Sequence, residues 1–320
     1  MGNCCNATPD QQVQAIQTAN GQKPLQHVNN GELITEAGRV PVNTQQQLKA
    51  AVLNPDFFKP RDEIKAMVAK YSMPDLNWNN YHGCNNPMDT IQGADYQYVG
   101  QVKAGNQFDG IGQLLTSNSL HIGYFKAGKK TGGSRTYLSQ NRYIQATWDS
   151  DEIHGKCFYE DNDLGHNSTI EYVRGMKEGA GIEKWDDGTI FKGRYQNDVR
   201  EGEGEMTWSD GNSFKGEFRK GCIDGKGKYV WSDGKTYEGD WKQDKMHGQG
   251  TFSWPDGRKY VGSYVEDQKE GHGIFYWSDK KKYDGQWLKG KQHGSGKYYD
   301  GTGVCKEGFW NQGQFTNPSK

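Results

Sequence analysis

From Phe191 the chain reads FKGRYQNDVREGEGEMTWSDGNS, then FKGEFRKGCIDGKGKYVWSDGKT, and begins again at Tyr237 with YEGDW. The two units are each 23 residues long and align without a gap. A period of roughly 20–50 residues marks an array of supersecondary units, each too small to bury a face alone. It therefore constrains the architecture before any local propensity does. With Tyr237 as position zero, the zero positions step by 23 through Ser168, Phe191, Phe214, Tyr237, Tyr260, Tyr283 and Lys306. Ile144, His121 and Tyr98 continue the ladder upstream, with one extra residue between Ile144 and Ser168. This makes ten units, the first three degenerate and the last truncated.

Within a unit, Tyr237, Gly239 and Trp241 alternate, so in a strand they share one face. Gly250, Phe252 and Trp254 do the same in the second half of the unit. A strand glycine costs stability, and an aromatic ring from a neighbouring strand laid over it recovers the contact. Asp256-Gly257 ends the unit where a tight turn needs positive φ. The expected fold is mainly β: a single elongated antiparallel meander of about ten 23-residue hairpins, preceded by a short helical region. Its aromatic face comprises Phe191, Tyr195, Trp208, Phe214, Phe218, Trp231, Tyr237, Trp241, Trp254, Tyr260, Tyr264, Trp277, Tyr283 and Trp287. Composition agrees: only 32% of residues are hydrophobic, but 12% are aromatic and 44 are Gly. Aromatics must then supply most of the apolar area.

Four departures from the period carry expectations. Asp279-Lys280 replaces Asp-Gly and puts Lys at a positive-φ position. Gly110 and Gly112 come one residue late in the first unit, which suggests a bulge there. The array should be least regular from Tyr98 to His166. At the far end, Lys306, Gly308, Trp310 and Gly313 should form only a first strand that caps the edge.

The recurring Tyr-x-Gly-x-Trp, Gly-x-Gly and Asp-Gly elements resemble the MORN repeat family. Tyr237, Gly239, Trp241, Gly248, Gly250 and Asp256-Gly257 carry the resemblance, and Tyr283, Gly285, Trp287, Gly290, His293, Gly294 and Gly296 repeat it. It covers about two thirds of the chain. It implies membrane-associated or cytoskeletal scaffolding, and MORN arrays also resemble parts of radial spoke heads.

Outside the array the reading is coarser. Residues 1–43 form a flexible segment rich in Gln, Asn and Gly; residues 44–95 form a helical cap region; residues 96–315 hold the array; and 316–320 are a tail. The start, Met1-Gly2-Asn3-Cys4-Cys5-Asn6, is similar to that of dually acylated peripheral proteins. Gly2 would carry myristate and Cys4 and Cys5 palmitate, and two lipid signals are what stable anchoring requires. Asn6 stands where the usual pattern has Ser or Thr. Thr44–Leu53 suits a short helix. After Pro60, the residues Ile64, Met67, Val68 and Tyr71 fall on one helical face, to lie against the first repeat.

Chemistry finds little support. His154, His247 and His293 are separated by 93 and 46 residues, whole-unit multiples or more, and belong to the motif's loops. No Gly-x-Gly opens a helix, so none is a phosphate cradle. The six Cys form no C-x-x-C pair and read as reduced thiols, Cys222 beside Lys220 included. No metal, no cofactor and no catalytic residue is expected, and the chain is not read as an enzyme. A net charge of -1 argues against nucleic acid. Lys280, Lys281, Lys282, Lys289 and Lys291 form the one basic cluster that could meet anionic phospholipid headgroups. The expected function is a non-catalytic scaffold, held at the cytoplasmic face of a plasma or vesicle membrane and presenting its aromatic face to protein partners. The alternatives are a structural component of a cilium or cell cortex and a phosphoinositide-binding module. Homo-oligomerisation is left open.

Overall fold

The computed structural model describes residue 86 and residues 88–316. The segments read as an acylated spacer (1–43) and as helices lie outside the described residues, as does the tail (316–320) apart from Thr316, which ends the last strand. All 21 strands among the described residues belong to one antiparallel sheet, and no helix occurs among them. The chain divides into two compact units, with residues 86–199 in one and 200–316 in the other.

In the first unit, β1 (Met88–Gln92), β2 (Tyr96–Lys103), β3 (Gln107–Thr116), β4 (Leu120–Lys126), β5 (Lys129–Ser139) and β6 (Arg142–Asp149) pair in sequence order. The meander continues through β7 (Glu152–Asp161), β8 (His166–Val173), β9 (Met176–Lys184) and β10 (Ile190–Gln196). The second unit has the same rule. It runs from β11 (Val199–Thr207), β12 (Ser213–Arg219), β13 (Cys222–Val230), β14 (Thr236–Lys242) and β15 (Lys245–Ser253) to β16 (Lys259–Val265) and β17 (Gln268–Tyr276). It ends with β18 (Lys282–Leu288), β19 (Lys291–Tyr299), β20 (Cys305–Asn311) and β21 (Gln314–Thr316). Each repeat is thus one hairpin, and Asp-Gly connections join the hairpins around Gly188, Gly211, Gly234 and Gly257.

Three expectations need correction. The last repeat is not a lone strand: β21 pairs with β20 through Asn311 and Gln314, so the edge strand is a three-residue stub. A stub of that length offers little to a foreign strand. The late glycines of the first repeat do not come from an extra bulge. The extra residue sits in the turn, where three residues separate Lys103 from Gln107 while two separate Arg219 from Cys222. Finally, Met88–Gln92 is a strand that covers the edge of β2.

Every complete repeat of the second unit carries a register shift between its two strands, just past the first glycine, as at Gly239/Asp240, Gly262/Tyr264 and Gly285/Trp287. The zero-position tyrosine serves that bulge. Its ring lies over the two paired glycines of its own repeat: a Cβ at Gly262 or Gly273 would overlap the Tyr260 ring. Its hydroxyl donates to the carbonyl of the bulged residue, from Tyr237 to Asp240 at 2.9 Å, Tyr260 to Ser263 at 3.2 Å and Tyr283 to Gln286 at 3.0 Å. A bulge frees a carbonyl from the ladder, and the phenol satisfies it. For the glycine of the second strand the covering ring comes from the neighbouring strand of the same repeat, as Tyr260 of β16 lies over Gly273 of β17. Tyr98 does the same in the first unit, over Gly100 and Gly112, with its hydroxyl 2.9 Å from the Gln101 carbonyl.

Rings of successive repeats then close on one another. Tyr237 meets Trp241 of its own repeat at 5.0 Å and Tyr264 of the next at 5.2 Å, both edge to face. Tyr260 is bracketed likewise by Tyr264 and Trp287, each at 5.2 Å. A second file runs Tyr229, Trp231, Phe252, Trp254, Phe275, Trp277, with centroids 4.4–5.6 Å apart. The first file has the edge-on geometry that aromatic pairs prefer, while the second is mostly tilted.

Candidate functional site

The aromatic face is the first candidate surface, and the structure brings its residues together. Phe191, Tyr195, Phe214, Phe218, Trp231, Tyr237, Trp241, Trp254, Tyr260, Tyr264, Tyr283 and Trp287 are all buried, while Trp208 and Trp277 are half-buried. The rings that define the face are occupied with each other. A slot between them is filled by the side chain nine residues after position zero: Ile223, Met246 and, in the next repeat, Lys269. The Lys269 ammonium lies 5.1–5.5 Å from the centroids of Trp254, Tyr260, Phe275 and Trp287. A cation over ring faces is stabilised by their quadrupoles, which lets a lysine fill an apolar slot. Sequence reasoning missed this box because its plug varies from one repeat to the next.

The turns form a second ladder. In the repeats after the first, a two-residue turn holds both residues at positive φ: Gln243 and Asp244, Glu266 and Asp267, or Lys220 and Gly221. The Asp carboxylate accepts from a backbone N–H one repeat upstream, Asp244 from Ile223 at 2.7 Å and Asp267 from Met246 at 2.8 Å. The Asp backbone N–H donates back to the same residue's carbonyl, at 2.9 and 3.0 Å. Burial pushes both carboxyls above the usual carboxylate range. The Asp-Gly connection is as expected: Asp233 and Asp256 cap the N–H two residues on, at 3.1 Å each, and Gly234 and Gly257 take φ 84° and 89°. Lys280 adopts φ 68° in the same place.

The opposite face of the second unit is polar. Cross-strand ion pairs link successive repeats: Lys215–Glu205 at 2.6 Å, Lys226–Asp240 at 2.9 Å and Lys297–Glu307 at 3.4 Å. All six side chains are substantially exposed, so each pair contributes at most about 1 kcal/mol. Each pair joins a lysine to a glutamate or aspartate across the boundary between two repeats.

The remaining predicted groups do not converge. Lys280, Lys281 and Lys282 precede or begin β18, and Lys289 and Lys291 follow its end. A seven-residue strand separates the two groups by roughly 20 Å. Lys281 is paired with Asp279 at 2.6 Å, and the Lys282 ammonium lies 4.3 Å from the Tyr299 ring centroid. No group of three or more His, Cys, Asp or Glu that could hold a metal occurs among the described residues. Burial pushes the Cys157 thiol up to about 12 and Cys222 to about 11, so both stay protonated at neutral pH. Gly2, Cys4 and Cys5 lie outside the described residues.

The MORN repeat model matches residues 171–190, 191–213, 214–236, 237–257, 260–282 and 283–305. Residues 171–305 are six MORN repeats. The unmatched hairpin of β2 and β3 carries the same Tyr98 device, so the build extends beyond the MORN match. No curated protein matches the chain. Among solved structures, the wild-type TCP10 domain of Danio rerio CPAP is 9% identical with a TM-score of 0.33, covering 72% of this chain and 100% of its own. The same domain in complex with a peptide of Danio rerio STIL gives 12%, 0.28, 72% and 100%. The SAS-4 TCP domain of Drosophila melanogaster, with a proline-rich motif of Ana2, gives 15%, 0.30, 57% and 97%. TM-scores of this size carry no inference to the MORN array.

Proposed function

We propose that this protein is a non-catalytic MORN-repeat scaffold that holds protein partners at the cytoplasmic face of a membrane. One observation carries the scaffold reading: the residues that recur with the period are consumed in packing and turns. What remains for recognition is the polar face and the half-buried rims of the aromatic file, a surface suited to binding. The membrane reading rests on Gly2, Cys4 and Cys5 alone. Lipid contact through the lysines is the weaker route, because they are split between the two ends of β18 and partly paired.

The test is fractionation of the full chain. Wild type should partition with membranes, Gly2→Ala should become soluble, and Cys4→Ser with Cys5→Ser should weaken retention. Equal fractionation of all three would sink the tether. Retention in a detergent-resistant cytoskeletal fraction, unchanged by the cysteine substitutions, would instead establish the ciliary or cortical reading.

A further inference from the structure

The second face of the sheet changes character at β3–β6. Elsewhere it is charged and open: Lys215 is 75% exposed and Ile182, between Thr169 and Lys192 on neighbouring strands, is 39% exposed. On β3–β6 the same face carries Leu120, Ile122 and Tyr137, with Leu115 and Tyr143 packed against them. The parity is unambiguous. His121, Gly123 and Phe125 of β4 take the repeat's zero, two and four positions on the aromatic face, so Leu120 and Ile122 point the other way. Yet Ile122 is 0% exposed.

Two isoleucines on one face of one sheet thus differ completely. In-plane neighbours shield the flanks of a strand residue and leave its top open, as Ile182 shows. Ile122 needs a second layer above it, because its register partners Gln113 and Arg135 belong to the first layer.

We propose that this patch is the docking site of the chain's own segment 60–73, through the stripe Ile64, Met67, Val68 and Tyr71. Three observations favour this occupant. The spacing i, i+3, i+4, i+7 gives a helix one apolar stripe, with Asp62, Glu63, Lys65 and Lys70 left for water. The path is right: Asn86, two residues before β1, already reaches past β2 to β3. Its amide donates to the Asp109 carbonyl at 2.9 Å, and Gln101 donates to the Asn86 carbonyl at 3.3 Å. Asn86 therefore sits against β2 and β3, on the side of β1 that leads toward the patch. The reach is ample too: the 15 residues from Tyr71 to Asn86 span up to about 50 Å, against roughly 15 Å across three strand spacings. The array's edge is closed to this segment because β1 already pairs with β2. The segment is a second layer on repeats one to three, and anything anchored at Gly2 is then joined to the array at a fixed place.

Thiol labelling of the full chain, resolved by peptide mass spectrometry, tests this without disturbing the array. In an otherwise wild-type chain, the thiol introduced by Ile122→Cys should react about tenfold or more slowly than that introduced by Ile182→Cys, as protected sites do. Adding Met67→Asp with Val68→Asp should remove the difference and leave the Ile182→Cys rate unchanged. That unchanged rate also shows that the sheet has not unfolded. Equal labelling of the two sites without the aspartates would overturn the proposal. So would protection of the first site that survives the aspartates, or protection lost on dilution, which would make the covering layer a second copy of the chain.

Discussion

At the scale of single residues, the repeat is a tyrosine lying on two glycines, and each partner has its own cost of replacement. Gly273→Ala drives a methyl group into the Tyr260 ring and should destabilise the array by about 1–3 kcal/mol in urea unfolding. Tyr260→Phe loses only the hydroxyl bond to the Ser263 carbonyl and should cost about 1 kcal/mol. Phe214, at the same position over Gly216 and Gly227, shows that the fold accepts it. Lys130 behaves differently because its charge is poorly placed. Burial lowers its pKa from 10.5 to about 8, opposed by Asp151, while the ammonium lies 4.9 Å from the Trp148 ring centroid. Between those two pH values the unfolded chain holds the proton and the folded chain does not. Stability should therefore rise with pH from about 8 to 10.5, and the charged form below pH 8 costs on the order of 3 kcal/mol at most. Lys130→Met should be more stable than wild type at pH 7 and should flatten the slope in that window, which urea titrations at pH 7, 9 and 10.5 would show.

Turns set the element scale, and they show what local sequence can announce. The Asp-Gly connection was legible because both its requirements are local: positive φ at Gly234, and an Asp233 carboxylate that caps an N–H two residues on. The turn inside each repeat was not legible. Its pairs read Gln243-Asp244, Glu266-Asp267 and Lys220-Gly221, with no shared dipeptide, and the aspartates bond to backbone one repeat upstream. A contact made 21 residues away leaves no mark on its own neighbourhood. Asp267→Ala removes the acceptor for the Met246 N–H and leaves a non-Gly residue at φ 69°, so it should cost about 1–2 kcal/mol. Asp267→Asn keeps an acceptor at that site and loses the buried charge, so its melting temperature at pH 7 should match or exceed that of wild type. Lys280→Gly should raise stability by about 1 kcal/mol, because Lys280 holds φ 68° where other repeats use Gly.

For the whole molecule, the period was enough to give an antiparallel meander of hairpins, because positions zero, two and four assign a face and Asp-Gly assigns a connection. The same period hid what is not periodic: β1, the plug in each aromatic box, and the apolar second face around Ile122. Nor could it say that the aromatic face closes on itself, since that depends on ring geometry between repeats and not on spacing along the chain. That closure makes a further prediction about how stability is distributed. Tyr237 and Tyr260 lie in adjacent repeats and both contact the Tyr264 ring, at 5.2 Å each. Tyr283 lies one repeat beyond Tyr260 and contacts Trp287 and Trp310 instead. In an array whose stability is a sum of repeat and nearest-neighbour contributions, coupling should stop at the next repeat. A double-mutant cycle of Tyr237→Leu with Tyr260→Leu should show an interaction energy of about 0.5 kcal/mol or more, and Tyr237→Leu with Tyr283→Leu should add within about 0.3–0.5 kcal/mol. Equal coupling in both cycles would mean that the second unit unfolds as one undivided core, and the account of it as a chain of neighbour contacts would fail.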